Sequence, residues 1–457
     1  MELRDVIRRG PMRGFQWAVV VLCICLTIID GYEILVTSFT LSSLTKEWGL
    51  DVGQQGLVAS IGTLGMGIGA AFLAPLADRF GRRAHILASL LLIVVGMTLS
   101  GLAPSFGIFL VFRFFAGLFL GGIVPSLNVL VSEYASDARR GSVMGIYGMG
   151  FPIGSALGGF LSIWLIGNFG WRGPFFFSAI VTALLTVWAF AALPESVGFL
   201  VERRPAGALE AYNKIGAKLG LPPDKELPPP THHDTQKSLF GTLLKGMFTG
   251  KMAIRTVYLW LAYATLIAAF YFANSFTARL VTQSTGDNNI GIVAQALVSV
   301  GGIIGGLLFA VLATRLNTRI VTMILVGFGT IAYFAFAQFF SVTSIVLVLA
   351  VAIGIAANGG VLAYYAISPP IYPTQIRAGA VGLMMGFGRV VAFLAPNIAA
   401  FLLARGFTAP NVYQVYGVVL AVSALAVWLL HRTYSGDDSL DAMQIEALEM
   451  EKLDAGR

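Results

Sequence analysis

Long apolar runs separated by short polar connections dominate this sequence. A hydrocarbon core of about 30 Å needs roughly 20 apolar residues per helix, and about twelve runs reach that length. They cover residues 15–41, 54–77, 84–104, 106–134, 142–168, 173–193, 254–281, 288–313, 319–341, 343–369, 379–404 and 410–431. None alternates with the period of two that marks a transmembrane strand, so helices must satisfy the backbone polar groups. Only 12% of the residues are charged, which excludes a water-soluble domain of this length. We therefore predict an all-α integral membrane protein.

Lysine and arginine concentrate on one side of the predicted helices. They occupy the N-terminal tail and the connections that follow even-numbered spans, for example at Arg8, Arg139 and Arg319. The positive-inside rule then places both termini in the cytoplasm of a cell whose plasma (inner) membrane the chain crosses repeatedly. The net charge of +7 follows from this bias and indicates no nucleic-acid partner.

A polar segment divides the chain into two halves. We predict an N-terminal six-helix bundle over 1–193, a cytoplasmic linker over 194–251, a C-terminal six-helix bundle over 252–432 and a cytoplasmic tail over 433–457. Within the linker, residues 206–219 have the pattern of an amphipathic helix, and residues 239–248 are expected along the membrane surface. The acidic tail is expected to form a short exposed helix.

The two halves repeat each other. LADRFGRR follows the second span and LATRLNTR follows the eighth, so Asp78 and Thr314 correspond at an offset of 314 − 78 = 236. Both copies lie on the cytoplasmic side, so the repeats are parallel. Transporters with parallel repeats bind substrate near the middle of the membrane, where the halves meet, and alternate access by rocking around it.

Three charges lie deep inside apolar spans. Asp30 and Glu33 are three residues apart in the first span, and Arg389 lies within the eleventh. Charges inside a bilayer are costly and usually face a polar pathway. Helical spacing of three puts both acids on one face, close enough for their titrations to couple. The other interpretation is that they are structural groups bonded to neighbouring helices.

Several stretches resemble the major facilitator superfamily over essentially the whole chain, and more narrowly its aromatic acid:proton symporter family. The stretches are DGYE (30–33), LADRFGRR (76–83), RFFAGLFLGG (113–122), SEY (132–134), GFPIGSALGG (150–159), PES (194–196), YPTQIRA (372–378) and MGFGR (385–389). Three positions depart from the family pattern. Glu33 replaces the usual aspartate, Ala74 replaces the glycine that opens the loop motif, and the second-half copy has lost its acid and glycine to Thr314 and Asn317.

The resemblance and the chemistry of the residues agree on two roles. Asp30 or Glu33 would carry the proton. Arg389 would anchor an anionic substrate, since a guanidinium stays charged and its fork matches a carboxylate. The residues predicted to act in gating and the conformational switch are Asp78, Arg79, Arg82, Arg83, Arg113, Glu133, Arg140, Arg315 and Arg377. Glu133 is expected to pair with the 79–83 cluster. Arg113 is either a proton-relay or outer-gate partner, or an interfacial arginine whose head group reaches the bilayer surface.

Further substrate contacts are predicted on helices that could line a central cavity. They are Asn274, Tyr32, Phe151, Tyr271 and Tyr365. Most aromatic residues of a membrane protein simply pack or meet lipid, which is the competing interpretation for each. Pairs such as Gly117/Gly121 and Gly154/Gly158 are predicted to be helix-packing seams.

No cofactor or metal site is predicted. Cys23 and Cys25 point in different directions on one helix and cannot pair, and the histidines show no ligand spacing. The sequence contains no Walker-type loop, so ATP would not drive the protein. We expect no enzymatic activity and a monomer whose partners are membrane lipids, protons and a small organic anion.

The resulting hypothesis is proton-coupled uptake of a small aromatic carboxylate, such as a hydroxybenzoate, by alternating access. One alternative is a symporter or antiporter for a non-aromatic organic anion. A membrane sensor or scaffold on a transporter fold is another, although such proteins normally add a sizeable soluble domain.

Overall fold

The structure is a computed structural model that describes residues 3–229, 244, 246–372 and 374–434. The expected tail helix lies outside the described residues. So does most of the surface segment expected at 239–248.

The described residues fold into α-helices joined by short connections. Those of the first half are α1 (Leu3–Arg9), α2 (Gly14–Trp48), α3 (Val52–Phe72), α4 (Ala77–Phe80), α5 (Arg82–Leu102), α6 (Phe106–Tyr134), α7 (Arg140–Phe169), α8 (Gly173–Ala192), α9 (Val197–Arg203) and α10 (Ala208–Lys218). Those of the second half are α11 (Gly250–Thr285), α12 (Asn288–Leu312), α13 (Thr318–Gln338), α14 (Thr343–Ile367), α15 (Thr374–Ala404) and α16 (Ala409–Arg432). Single 3₁₀ turns at Ala74–Leu76 and Pro369–Ile371 follow α3 and α14.

Within the part of the chain that the structure describes, twelve helical segments are long and apolar enough to cross a membrane. They begin and end close to the predicted runs, and the described residues contain no strand, so the predicted fold class is confirmed. The largest difference is in α2, which ends at Trp48 instead of near residue 41. Hydropathy reports where a chain leaves the hydrocarbon and not where the helix stops. Here the helix ends where Gly49 takes the left-handed conformation and its amide bonds the Thr45 carbonyl.

Close packing divides the chain into two compact units. Unit 1 comprises Met1–Gly49 and Ile61–Thr235, and unit 2 comprises Leu50–Ser60 and Gln236–Arg457. The same helix pairings occur in each. In unit 1, α2 packs on α7 and α5 on α8, and in unit 2, α11 packs on α15 and α13 on α16. These pairings follow the sequence repeat.

Glycine seams bring helix backbones into direct contact in both units. A Cβ on Gly121 of α6 would lie 2.0 Å from the Met66 carbonyl oxygen of α3. In unit 2, a Cβ on Gly354 of α14 would lie 1.8 Å from the Val298 oxygen of α12. The packing role expected for Gly117 and Gly121 is therefore confirmed.

The linker supplies α9 and α10, and the amphipathic helix expected at 206–219 is observed as α10. Its Tyr212 is buried and its hydroxyl accepts a hydrogen bond from the Leu3 amide of α1 at 3.2 Å. Arg13, which precedes α2, donates to the carbonyl of Leu219 just after α10. These bonds hold the linker helix against the start of the chain.

Candidate functional site

The Glu33 carboxylate is enclosed within unit 1, near the middle residue of α2. Its side chain is buried, and its Oε1 accepts hydrogen bonds from Ser178 Oγ at 2.6 Å and Thr182 Oγ1 at 2.7 Å. Both donors come from α8, four residues apart on one helical face. A buried carboxylate that keeps two hydroxyl donors can exist in either protonation state, because hydroxyls donate to the ionised form and accept from the neutral one.

Arg113 is buried beside this carboxylate. Its Nη2 donates to the Glu33 carbonyl oxygen at 3.0 Å, and its guanidinium carbon lies 5.7 Å from the centre of the Phe175 ring. The side chain is only 3% exposed, which does not fit an interfacial arginine that reaches the bilayer surface. The sequence placed Arg113 at a helix end, and only the crossing of α6 over α2 brings it to Glu33.

Asp30 lies one helical turn before Glu33 and is also buried. Tyr147 of α7 lies close enough to interact with it electrostatically. Between the two acids, α7 approaches α2 so closely that a Cβ on Gly31 would lie 2.1 Å from the Phe151 carbonyl oxygen. The acids therefore sit on a helix whose position is fixed by backbone contact.

Arg389 is the middle residue of α15 and lies within unit 2. It is half-buried, and its Nη1 donates to the hydroxyl oxygen of Tyr271 on α11 at 2.9 Å. One residue earlier, a Cβ on Gly388 would lie 2.5 Å from the ring of Tyr263. The Tyr263 ring is 6.4 Å from that of Tyr365 on α14, and Tyr365 is 39% exposed. An arginine among three tyrosines can bind a carboxylate and offer ring faces to an attached aromatic group.

Sequence reasoning missed Tyr263, Ser178 and Thr182. Tyr263 lies two turns before Tyr271 on the same side of α11, a spacing that could have been noticed. The two hydroxyls could not have been singled out, because serine and threonine are common in membrane helices and only the packing of α8 on α2 selects these.

Other predicted substrate contacts have partners inside their own units. Tyr32 is buried and donates its hydroxyl to the Pro174 carbonyl at 3.0 Å. Asn274 is buried, donates to the Phe270 carbonyl at 2.9 Å and accepts from Gln295 at 3.3 Å. Phe151 is half-buried in α7. Contact of these three with substrate stays a prediction.

The predicted switch residues gather at the basic end of unit 1. Arg82 pairs with Glu133, as expected, and lies 3.5 Å from Asp78. Arg83 donates to the carbonyls of Leu193 and Phe190, both at 2.8 Å. Arg79 is exposed at the edge of this group.

Glu195 completes the group and was not predicted, although it belongs to the PES stretch. Its Oε1 accepts from the amides of Arg82 at 2.9 Å and Arg83 at 3.1 Å, which begin α5. The adjacent Ser196 hydroxyl bonds Glu133 at 2.6 Å. This network joins the ends of α5, α6 and α8.

The remaining predicted switch residues lie apart from that network. Arg140 pairs with Asp137 at 3.0 Å. In unit 2, Arg377 donates to the Tyr372 carbonyl at 3.1 Å, and Arg315 is exposed. Their role in switching stays a prediction. Among the described residues, no three His, Cys, Asp or Glu side chains are grouped as a metal site would require.

Comparisons with known proteins give one family and consistent relatives. A family model described as the Major Facilitator Superfamily matches residues 21–337. The gallate transporter of Pseudomonas putida is 29% identical, covering 93% of this chain and 94% of that protein. The 4-hydroxybenzoate transporter PcaK of Acinetobacter baylyi is 28% identical, covering 94% of each. The resemblance to aromatic acid transporters drawn from the sequence motifs is confirmed by these relatives.

Solved structures agree on the fold. The inward-open xylose transporter XylE from E. coli superposes with a TM-score of 0.70 at 17% identity, covering 95% of this chain and 99% of that one. A bacterial homologue of the human lysosomal transporter Spinster gives 0.71 at 17% identity, covering 93% and 98%. At such identity the likeness concerns the fold alone.

Proposed function

Because the chain belongs to the Major Facilitator Superfamily and is an integral multi-pass membrane protein, we propose that it takes up a small aromatic carboxylate together with protons. The observation that carries this proposal is the pairing of Arg389 with tyrosines in the middle of a membrane helix. The relatives named for gallate and 4-hydroxybenzoate support an aromatic substrate.

The substrate carboxylate would bind Arg389. The Tyr271 hydroxyl accepts a hydrogen bond from Nη1 and so orients the guanidinium, whose planar fork matches a carboxylate. Tyr263 and Tyr365 would contact the ring, and a phenolic hydroxyl on the substrate would find tyrosine hydroxyls as partners. This arrangement makes an aromatic acid a better fit than an aliphatic one.

The proton would bind Glu33, with Asp30 as a second carrier. An ionised carboxylate is costly inside the bilayer, and protonation from outside removes that cost. Binding of the substrate anion removes the net charge of Arg389 in the same way. A unit whose buried charge is neutralised changes conformation more easily than one that must move a bare charge through hydrocarbon.

The basic end of unit 1 would face the cytoplasm. This orientation follows the distribution of lysine and arginine. Both termini would then lie inside the cell, and the membrane would be the plasma (inner) membrane. The network around Arg82, Glu133 and Glu195 would then stabilise one conformation by its ion pairs and break during the transition to the other. Asp78 would contribute at its edge, and Arg140 would act separately through its ion pair with Asp137.

Uptake by proteoliposomes tests the proposal. Vesicles containing the protein are offered labelled 4-hydroxybenzoate, gallate or succinate, with and without an imposed gradient that is acidic outside. We expect accumulation of the aromatic acids only with the gradient, and none of succinate. Uptake that does not depend on the gradient would exclude symport. Uptake of succinate equal to that of the aromatic acids would exclude an aromatic substrate class.

The Glu33→Gln variant separates coupling from binding. Glutamine keeps the hydrogen bonds with Ser178 and Thr182 but mimics a permanently neutral carboxyl. We expect exchange of labelled for unlabelled substrate to persist while gradient-driven accumulation disappears. Accumulation at the native level would assign the proton to another residue.

A further inference from the structure

A cavity of about 420 Å³ lies in unit 1 where α5 begins and α8 ends. Residues of α9 and α10 form its other walls. Most of its lining is apolar, from alanine, proline, leucine, isoleucine and phenylalanine side chains. Its lining includes neither Glu33 nor Arg389, although Arg83 and Glu195 also belong to the network around Arg82 and Glu133.

The charged lining of this cavity is mainly positive. Arg83 contributes from α5, and Lys214 and Lys218 lie one turn apart on α10. Among the described lining residues, the single acidic one is Glu195, whose Oε1 accepts the amides of Arg82, Arg83 and Ser196 at 2.8–3.1 Å. One carboxylate cannot offset the charge of three cations.

An apolar stripe on α8 leads to the cavity. Ile180, Leu184 and Val187 share one helix face and are 61%, 65% and 70% exposed, as side chains in contact with lipid are. The next residue on this face is Ala191, which lines the cavity. Beside it, the guanidinium of Arg83 lies 5.6 Å from the centre of the exposed Phe190 ring.

We propose that this cavity binds an anionic phospholipid, with its phosphate between Arg83, Lys214 and Lys218 and an acyl chain along α8. Arginine and lysine near a bilayer surface attract anionic headgroups, and charge-assisted bonds to phosphate oxygens are strong. A soluble phosphate would use the cations but gain nothing from the apolar walls or from the stripe. A lipid uses all three features.

Native mass spectrometry of the purified full-length protein tests this assignment. The protein is titrated with phosphatidylglycerol, with phosphatidylcholine as the zwitterionic reference. The test variant is Lys214→Gln/Lys218→Gln. The control is Lys46→Gln/Lys225→Gln, which removes the same charge at exposed lysines outside the cavity. We expect the test variant to bind phosphatidylglycerol roughly ten-fold more weakly and the control to match the native protein.

Two further measurements distinguish a lipid bound in the cavity from a soluble phosphate ligand. Ala211→Trp fills the cavity from α10 without changing charge, and we expect it to lose the same bound lipid. Equal lipid binding by the native protein, the double-lysine variant and the filled variant would overturn the proposal. Displacement of phosphatidylglycerol by an equal concentration of glycerol 3-phosphate would also overturn it, in favour of a soluble phosphate ligand.

Discussion

The helix pair α2–α7 of unit 1 and its repeat counterpart α11–α15 of unit 2 are packed differently. In the first pair, a Cβ on Gly154 would lie 1.7 Å from the Ile28 carbonyl oxygen, so backbone touches backbone. In the second, the close approach at Gly388 is to a side chain, since a Cβ there would lie 2.5 Å from the Tyr263 ring. The first pair meets backbone to backbone, and the second is spaced by a tyrosine ring.

The proposed anion site would therefore belong to one unit. The position in α7 that corresponds to Arg389 is about Pro152, which is buried and carries no charge. In unit 1 the buried charged group is the Glu33 carboxylate, which meets Ser178 and Thr182 of α8.

The two halves also differ in charge, and the second half has a large excess of basic residues. From Gly250 to Tyr434 the only acidic residue is Asp287. The basic residues of that stretch are Lys251, Arg255, Arg279, Arg315, Arg319, Arg377, Arg389, Arg405 and Arg432. An excess of cations favours anion binding in the second half, and it leaves proton binding to the carboxylates of the first.

One glycine-to-alanine substitution should destabilise the α2–α7 pair, and another, in α15, should have no such effect. Gly154→Ala places a methyl group on the Ile28 oxygen, and overpacking of this kind costs about 3 kcal/mol, or roughly 5–10 °C in Tm. Gly386→Ala adds a methyl group in open space and should leave Tm unchanged or slightly higher. Thermal unfolding in detergent measures both. An equal decrease of Tm in the two variants would mean that the packing difference does not affect stability.

Removing the central arginine should abolish most binding without unfolding unit 2. Loss of a charge-assisted carboxylate contact in Arg389→Ala should lower substrate affinity about 100-fold. Arg389→Lys should retain only part of the native substrate affinity, because an ammonium cannot form the two parallel hydrogen bonds of a guanidinium. Arg405→Ala, just beyond the end of the same helix, is the matched control. Scintillation proximity binding of labelled 4-hydroxybenzoate is the measurement, and native affinity in Arg389→Ala would remove the anchor assignment.

Removing the α8 hydroxyls should give a smaller effect confined to unit 1. Ser178→Ala and Thr182→Val each delete a hydrogen bond to Glu33, so the balance between its ionised and neutral forms changes. The external pH of half-maximal uptake should therefore shift, and by more in the double variant than in either single variant. Substrate affinity at saturating acidity should not change. A pH profile identical to the native one would show that these hydroxyls are merely structural.

Much of this architecture could be predicted from the sequence because its causes are local. Twelve apolar runs, the repeated loop motif and the amphipathic α10 each depend on residues close together in the chain. The depth of Glu33 and Arg389 follows from helix length, since each lies near the middle residue of its helix.

What could not be predicted depends on how the helices cross. Arg113 is distant from Glu33 in sequence, and Glu195 meets the start of α5 only because α8 returns to the same end of unit 1. Tyr263 is one of many aromatic residues until α15 brings Gly388 against its ring. Amino-acid composition does not show which side chains become neighbours when the helices pack.

The mid-helix positions of the two acids have an electrical consequence. If Glu33 alone carries a proton with each singly charged carboxylate, no net charge crosses the membrane and voltage does not contribute. If Asp30 is loaded as well, one positive charge enters per cycle, and the membrane potential adds about 2.3 kcal/mol for every 100 mV. The number of loaded acids on one turn of α2 thus determines whether the cell's voltage, as well as its pH gradient, concentrates the substrate.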